Sequence, residues 1–250
     1  MLTGLRLALG LLTVIPAGSP DIRRGRDAML LAPVAVLPVA VAAALAGWVV
    51  TLAGVPAAVA GVVVVAGVAL GTRAMHLDGL ADTVDGLGTG KPAGDALEVM
   101  RRGDIGPMGV VALVLVLLAE ALAAGVVLDR PWGWLQLAVV IAVARGSLAL
   151  GCLRGVPSAR PDGLGALVAG SVPRLAAAGA WVVWTGALVA SGMLTGQAWW
   201  WPLLGVAAVL VKSLWLVRLA IRRLGGITGD VLGALVELST VVLLVFATIR

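Results

Sequence analysis

The chain has 250 residues, of which 61% are hydrophobic and only 12% charged, whereas a soluble domain usually carries about a quarter charged side chains. With a mean hydropathy of +1.09, it holds more apolar side chain than a water-soluble interior can hide, so a soluble fold is excluded and lipid must solvate much of it. The net charge of +5 does not point to nucleic acid, because the basic residues lie in short segments between apolar runs, where membrane topology signals lie.

In chain order, the opening stretch 1–15 is short and ends at Pro16, which predicts an interfacial or re-entrant segment. It carries only Arg6 and lacks a convincing small-residue cleavage site, so it does not read as a signal peptide. A helix crosses the hydrocarbon with roughly 17–25 apolar residues. Seven such runs follow, at 29–53, 56–72, 107–128, 132–153, 174–194, 199–219 and 231–249. The expected fold is all-α: a polytopic transmembrane helix bundle of about seven spans, forming one integral-membrane domain over 1–250. The single cysteine, Cys152, rules out an internal disulfide and a cysteine-based metal site.

The charges orient the bundle. With the N-terminus in the cytoplasm, the cytoplasmic segments collect Arg6, Arg23, Arg24, Arg26, Arg73, Lys91, Arg101, Arg102, Arg154, Arg160, Arg174, Arg218, Arg222 and Arg223, and the far side receives only Arg130 and Arg250. This bias predicts a cytoplasmic N-terminus. It also puts the three polar segments, 73–106, 154–173 and 220–230, on the cytoplasmic side. The outer connections are brief, and Trp199-Trp200-Trp201 beside one of them reads as an interfacial anchor.

Most of the thirteen acidic residues fall in or beside the cytoplasmic segments. In the densest piece, Asp78, Asp82 and Asp85 stand at i, i+4 and i+7, so on a helix they share one face. Carboxylates stacked that way repel one another unless a cation lies between them, and a hard divalent ion such as Mg²⁺ bridges carboxylates to phosphate oxygens. The plainer reading is a solvated acidic face at a helix end. The residues between the aspartates are apolar, and the run directly follows a membrane span, which weighs against it.

Further along, Gly86, Gly88 and Gly90 suit a loop that approaches phosphate closely. Asp95 reads as an N-cap with Glu98 at the capping-box position, or Glu98 meets substrate. Arg101 and Arg102 either clamp phosphate or anchor a membrane edge. Asp104 stands just before the span that starts at Pro107, where it could complete a metal site. Arg160 supplies a further cation and Thr228 lies in a glycine-rich turn. Asp230 and Glu237 are seven apart on one helical face. Glu237 lies inside a span, where an acid is functional unless paired, and Lys212 is the competing partner. Arg145 either lines a polar cavity or pairs with Glu120. The lone histidine, His76, either binds substrate or is an interfacial side chain.

Carboxylates, arginines and glycine-rich turns gathered at one membrane surface suit transfer on a diphosphate substrate. A metal neutralises phosphate charge, and one aspartate takes the proton of an attacking hydroxyl. The blocks that carry this chemistry also carry a resemblance. They are His76-Leu-Asp78-Gly79-Leu-Ala81-Asp82-Thr83-x-Asp85-Gly86, Glu98-x-Met100-Arg101 with Ile105-Gly106-x-x-Gly109, Pro157-x-Ala159-Arg160 with Gly163-Leu164-Gly165, and Gly225-Gly226-x-Thr228-Gly229-Asp230-x-Leu232-Gly233-Ala234. Together they are similar to the cobalamin synthase family, the adenosylcobinamide-GDP ribazoletransferases, over essentially the whole chain.

The resemblance implies that a ribose hydroxyl of α-ribazole, or of its 5′-phosphate, attacks the phosphate attached to adenosylcobinamide and that GMP leaves. It implies Mg²⁺ dependence and an inner-membrane location. Asp78, Asp82 and Asp85 are then the expected catalytic residues and, with Asp104, the expected metal ligands. His76, Glu98, Arg101, Arg102, Arg160, Thr228, Asp230 and Glu237 are the expected substrate contacts. The implied partners are the two substrates and the lipid bilayer, with assembly into a homo-oligomer left open. Two alternatives stand beside this: a phosphotransferase of the CDP-alcohol type, whose aspartate spacing is not reproduced, and a carrier using Glu120, Arg145, Lys212 and Glu237, for which no inverted repeat is visible.

Overall fold

In hydrocarbon a backbone must satisfy its own polar groups, and a single segment achieves that only as a helix. A computed structural model describes residues 2–18 and 24–250; Met1 and Arg23, both part of the sequence reading, lie outside them. Among the described residues every regular element is a helix, with two isolated β-bridges in the connections.

Helix α1 (Leu2–Leu12) has 11 residues, too few to cross, and buries Leu7, Ala8 and Leu12 against α2 (Gly25–Leu52). Among the described residues, six segments are long and apolar enough to span: α2, α6 (Pro107–Leu128), the α7–α8 pair (Gly133–Ala144 and Ser147–Gly151), α10 (Arg174–Leu194), α11 (Trp200–Leu224) and α12 (Gly229–Thr248). The other expected span, 56–72, is α3 (Ala57–Gly71), only 15 residues long. It turns by 91° into α4 (Met75–Gly88), which runs across the end of the bundle. Arg73 and Ala74, with φ of 55° and 52°, make that corner. The Arg73 guanidinium holds it by donating to the Thr13 carbonyl at 2.7 Å and the Gly10 carbonyl at 3.4 Å.

The segment 73–106 is therefore mostly helical, since a second short helix, α5 (Ala93–Val99), follows α4. The expected capping box is not formed. Pro92 is the N-cap of α5 and no side chain caps it, so Asp95 falls inside the first turn. With extended Pro92 as its N-cap, the helix starts three residues earlier than the Asp95–Glu98 pattern suggested.

The α7–α8 span is broken at Arg145-Gly146. Arg145 is 1% exposed and donates to the Ile141 carbonyl at 2.9 Å and to Thr240 Oγ1 at 3.3 Å. It lines a small cavity of about 20 Å³ together with Glu120 and Glu237. The competing Lys212–Glu237 pair is not formed: Lys212 Nζ donates to the Leu235 carbonyl at 2.9 Å and Ser239 Oγ at 2.7 Å. At the opposite end of α12, Arg130 donates to the Ala247 and Thr248 carbonyls. Gln197 donates there to the Phe246 carbonyl at 2.6 Å. These side chains satisfy last-turn carbonyls that the helix itself leaves without partners.

Candidate active site

Two glycines set the geometry of the polar end. A Cβ on Gly79 would stand 2.8 Å from the Asp230 carbonyl oxygen, and one on Gly233 would stand 3.0 Å from that of His76. Without side chains there, α4 crosses the N-terminus of α12 backbone to backbone. The crossing brings Asp78 and Asp82, on α4, beside Asp230, in the first turn of α12.

Asp78 is exposed, Asp82 half-buried and Asp85 buried. Burial pushes the Asp82 carboxyl up from its ordinary 3.8 to about 6, and the charges of Asp78, Asp230 and Asp85 push the same way, against the pull of Arg160. Each of these groups disfavours a further negative charge or stabilises it through plain electrostatics. Asp82 is thus the point on which the acidic constellation converges, and Asp230 belongs to that constellation beside Asp78.

Asp85 faces a different task. Its Oδ2 accepts the amide of Gly106 at 2.7 Å and its Oδ1 that of Gly109 at 2.9 Å. Those amides are the unpaired donors at the start of α6, where a negative charge is also favoured by the helix dipole. Asp104 is exposed on the connection into α6 and is not among the charges acting on Asp82. Among the described residues, no three His, Cys, Asp or Glu side chains are gathered closely enough to hold a metal ion by themselves.

The opposite wall comes from 154–162. The Ala159 amide donates to the Ile227 carbonyl and the Ile227 amide to the Pro157 carbonyl, each at 2.9 Å, which fixes this segment against the turn before α12. Thr228 caps α12 by accepting from the Val231 amide at 3.2 Å and donates to Asp230 Oδ2 at 3.1 Å. Arg160 stands 3.8 Å from Asp230 and donates to the Leu97 carbonyl at 2.8 Å, tying α5 to α12. Between these groups lies a pocket of about 220 Å³, whose walls include Ser158, Arg160, Thr228 and Asp230. Ser158, which the sequence reading passed over, donates from Oγ to the Arg160 carbonyl at 2.7 Å. No motif marks it, because its place depends on the bridge to Ile227.

The remaining expected contacts are scattered. Arg101 pairs with Asp162 at 3.2 Å on the surface, while Arg102 and Glu98 are exposed. His76 is 3% exposed, and neither ring nitrogen has a hydrogen-bond partner among the described residues. Glu237 faces the interior cavity with Arg145 and Glu120, two helical turns from Asp230, so the structure does not bring it to the pocket.

Fold and site together define a multi-pass membrane protein with a recessed carboxylate–arginine pocket at one end of its helix bundle. The chain belongs to the cobalamin-5-phosphate synthase family, whose model matches residues 4–248. A Nocardioides protein named adenosylcobinamide-GDP ribazoletransferase is 42% identical over 240 residues, 94% of this chain and 93% of its own. Proteins of the same name from Bradyrhizobium diazoefficiens and Chlorobium phaeobacteroides are 39% and 30% identical, over 99% and 95% of this chain and 94% of their own lengths. No solved structure matches the chain.

Proposed function

We propose that this chain joins the halves of cobalamin: a ribose hydroxyl of α-ribazole, or of its 5′-phosphate, attacks the phosphate borne by adenosylcobinamide in adenosylcobinamide-GDP. A new P–O bond forms to the ribose oxygen, the P–O bond to the guanylyl phosphate breaks, and GMP leaves with the electron pair. The observation that carries the reading is Asp82, a half-buried carboxylate held near 6 by burial and its acidic neighbours, with Arg160 across from it. A base with that proton affinity, ionised at neutral pH, is suited to accept the proton of the attacking hydroxyl. Arg160 and the amides at the start of α12 bind and orient the diphosphate.

The donor set fits a divalent cation that is shared with substrate. Asp78 and Asp230 crowd Asp82 with negative charge, yet among the described residues no three carboxylates form a closed cage. Mg²⁺ is commonly bound by one or two carboxylates plus substrate phosphates. Asp78 and Asp230, with Asp82 beside them, would hold it, and when bound it supplies neutralisation of phosphate charge. Asp85, engaged with α6, contributes field and position, and Asp104 is a peripheral candidate ligand. The bias of Arg and Lys toward the pocket's side of the bundle supports a cytoplasmic active site and N-terminus in an inner membrane.

The test is an assay of the detergent-solubilised chain with adenosylcobinamide-GDP and α-ribazole, with and without Mg²⁺. The expected result is metal-dependent GMP release together with a joined corrinoid. Absence of any joined product from folded protein in the presence of Mg²⁺ would overturn the reading.

A further inference from the structure

An apolar groove of about 790 Å³ opens between α10 and α11, sharing no lining residue with the carboxylate pocket. Trp181 and Leu210 lie along it, and Arg154, Arg174 and Arg218 stand at one end. All three arginines are exposed, and among the described residues none is in an ion pair. Among the described residues, the groove lining contains no acidic side chain.

We propose that this groove binds an anionic phospholipid from the leaflet beside the carboxylate pocket, its phosphate among Arg154, Arg174 and Arg218 and one acyl chain laid between α10 and α11. Depth and charge both point to that occupant. Along α10 the groove runs from Arg174 to Thr185, about 16 Å at the helical rise, which is roughly half of the hydrocarbon core and so one leaflet. Arginines clustered between helices at the membrane edge are the recognised form of an anionic headgroup site. A zwitterionic headgroup would bring its own cation among them. An apolar helix from a second copy would desolvate three guanidinium groups and give them no partner. Arg154 opens the connection that carries Ser158 and Arg160, and its amide donates to the Val172 carbonyl at 2.9 Å. A lipid seated here therefore braces one wall of the pocket.

The proposal is tested by native mass spectrometry of the full chain in detergent, titrated with dioleoylphosphatidylglycerol or dioleoylphosphatidylcholine. The wild type should retain phosphatidylglycerol roughly a hundred-fold more tightly, as expected for three arginines near one phosphate. The triple variant R154Q/R174Q/R218Q should lose that preference. Ala178→Trp, which fills the groove, should lose the phosphatidylglycerol adduct while keeping the wild-type melting temperature. Equal retention of both lipids by the wild type overturns the proposal, as does undiminished phosphatidylglycerol binding by the triple variant. So does a wild-type dimer that Ala178→Trp disperses while the lipid stays bound.

Discussion

Asp85 and Gly106 lie 21 residues apart, yet the carboxylate of one accepts the amide of the other at 2.7 Å, and the second carboxylate oxygen reaches Gly109 at 2.9 Å. Helix α6 begins behind a glycine that has no side chain with which to cap it, so α4 supplies the cap across the fold. The bond fixes how α4 lies against α6, and thereby where Asp82 points, one turn earlier on the same helix.

Replacing Asp85 with Ala leaves two amides in a largely buried setting without their charged acceptor, which should cost about 2–3 kcal/mol. Asp85→Asn keeps one acceptor oxygen and should fall between. Thermal unfolding in detergent micelles checks both, with GMP release falling alongside the midpoint. An unchanged midpoint for Asp85→Ala would show that α6 does not depend on this cap.

Asp82 should behave in the opposite sense. Its carboxyl titrates at about 6 in the folded chain against an ordinary 3.8, so the folded metal-free protein binds that proton more tightly than the unfolded chain. The resulting stabilisation is complete below pH 3.8 and is lost as pH rises through about 6. At pH 7 the ionised carboxylate opposes folding. Asp82→Asn should therefore raise the melting midpoint of Mg²⁺-free protein at pH 7, with the gain shrinking toward acid pH, and should abolish GMP release. Wild-type turnover in this variant would remove Asp82 from the chemistry.

Gly79 has the same standing in packing that Asp82 has in charge. A Cβ there meets backbone atoms of Asp230 at 2.8 and 2.9 Å, and neither backbone can swing aside as a flexible side chain would. Gly79→Ala should force α4 and α12 apart at a cost of about 1–3 kcal/mol, lowering both midpoint and turnover. Gly94→Ala, with nothing within 4 Å in α5, should be neutral or slightly stabilising. Equal effects of the two changes would contradict the crossing geometry.

The bundle was legible because lipid imposes one rule on every span. Apolar runs at 107–128 and 174–194 coincide with α6 and α10, and the short run 56–72 marked the helix that bends into α4. The acidic face of 78, 82 and 85 could be read from helical spacing alone. Its partners could not, because they come from elsewhere in the chain. Asp85 caps a helix that starts 22 residues later, and Asp230 reaches Asp82 only through the Gly79–Gly233 crossing. Glu237 and Lys212 looked like partners by depth, but rotation about their helices gives Lys212 to Ser239 and turns Glu237 toward Arg145. The break at Arg145-Gly146 carries no proline that would announce it.

Arg160 offers the sharpest separation of binding from architecture. One nitrogen of its guanidinium donates to the Leu97 carbonyl at 2.8 Å while another stands 3.8 Å from Asp230, so one side chain both joins α5 to α12 and presents positive charge to the pocket. Arg160→Ala removes both contributions. It should lower the midpoint and raise KM for adenosylcobinamide-GDP roughly ten- to hundred-fold, the scale of a hydrogen bond to a charged group. Arg160→Lys keeps the charge but has a single ammonium in place of a planar fork. It cannot reach Leu97 and a phosphate together. The lysine variant should therefore recover part of the lost affinity, through the charge that remains, and little of the lost midpoint. Steady-state kinetics beside thermal unfolding measures the two separately. If Ala and Lys lower the midpoint equally and neither moves KM, Arg160 is a tie between helices and nothing more.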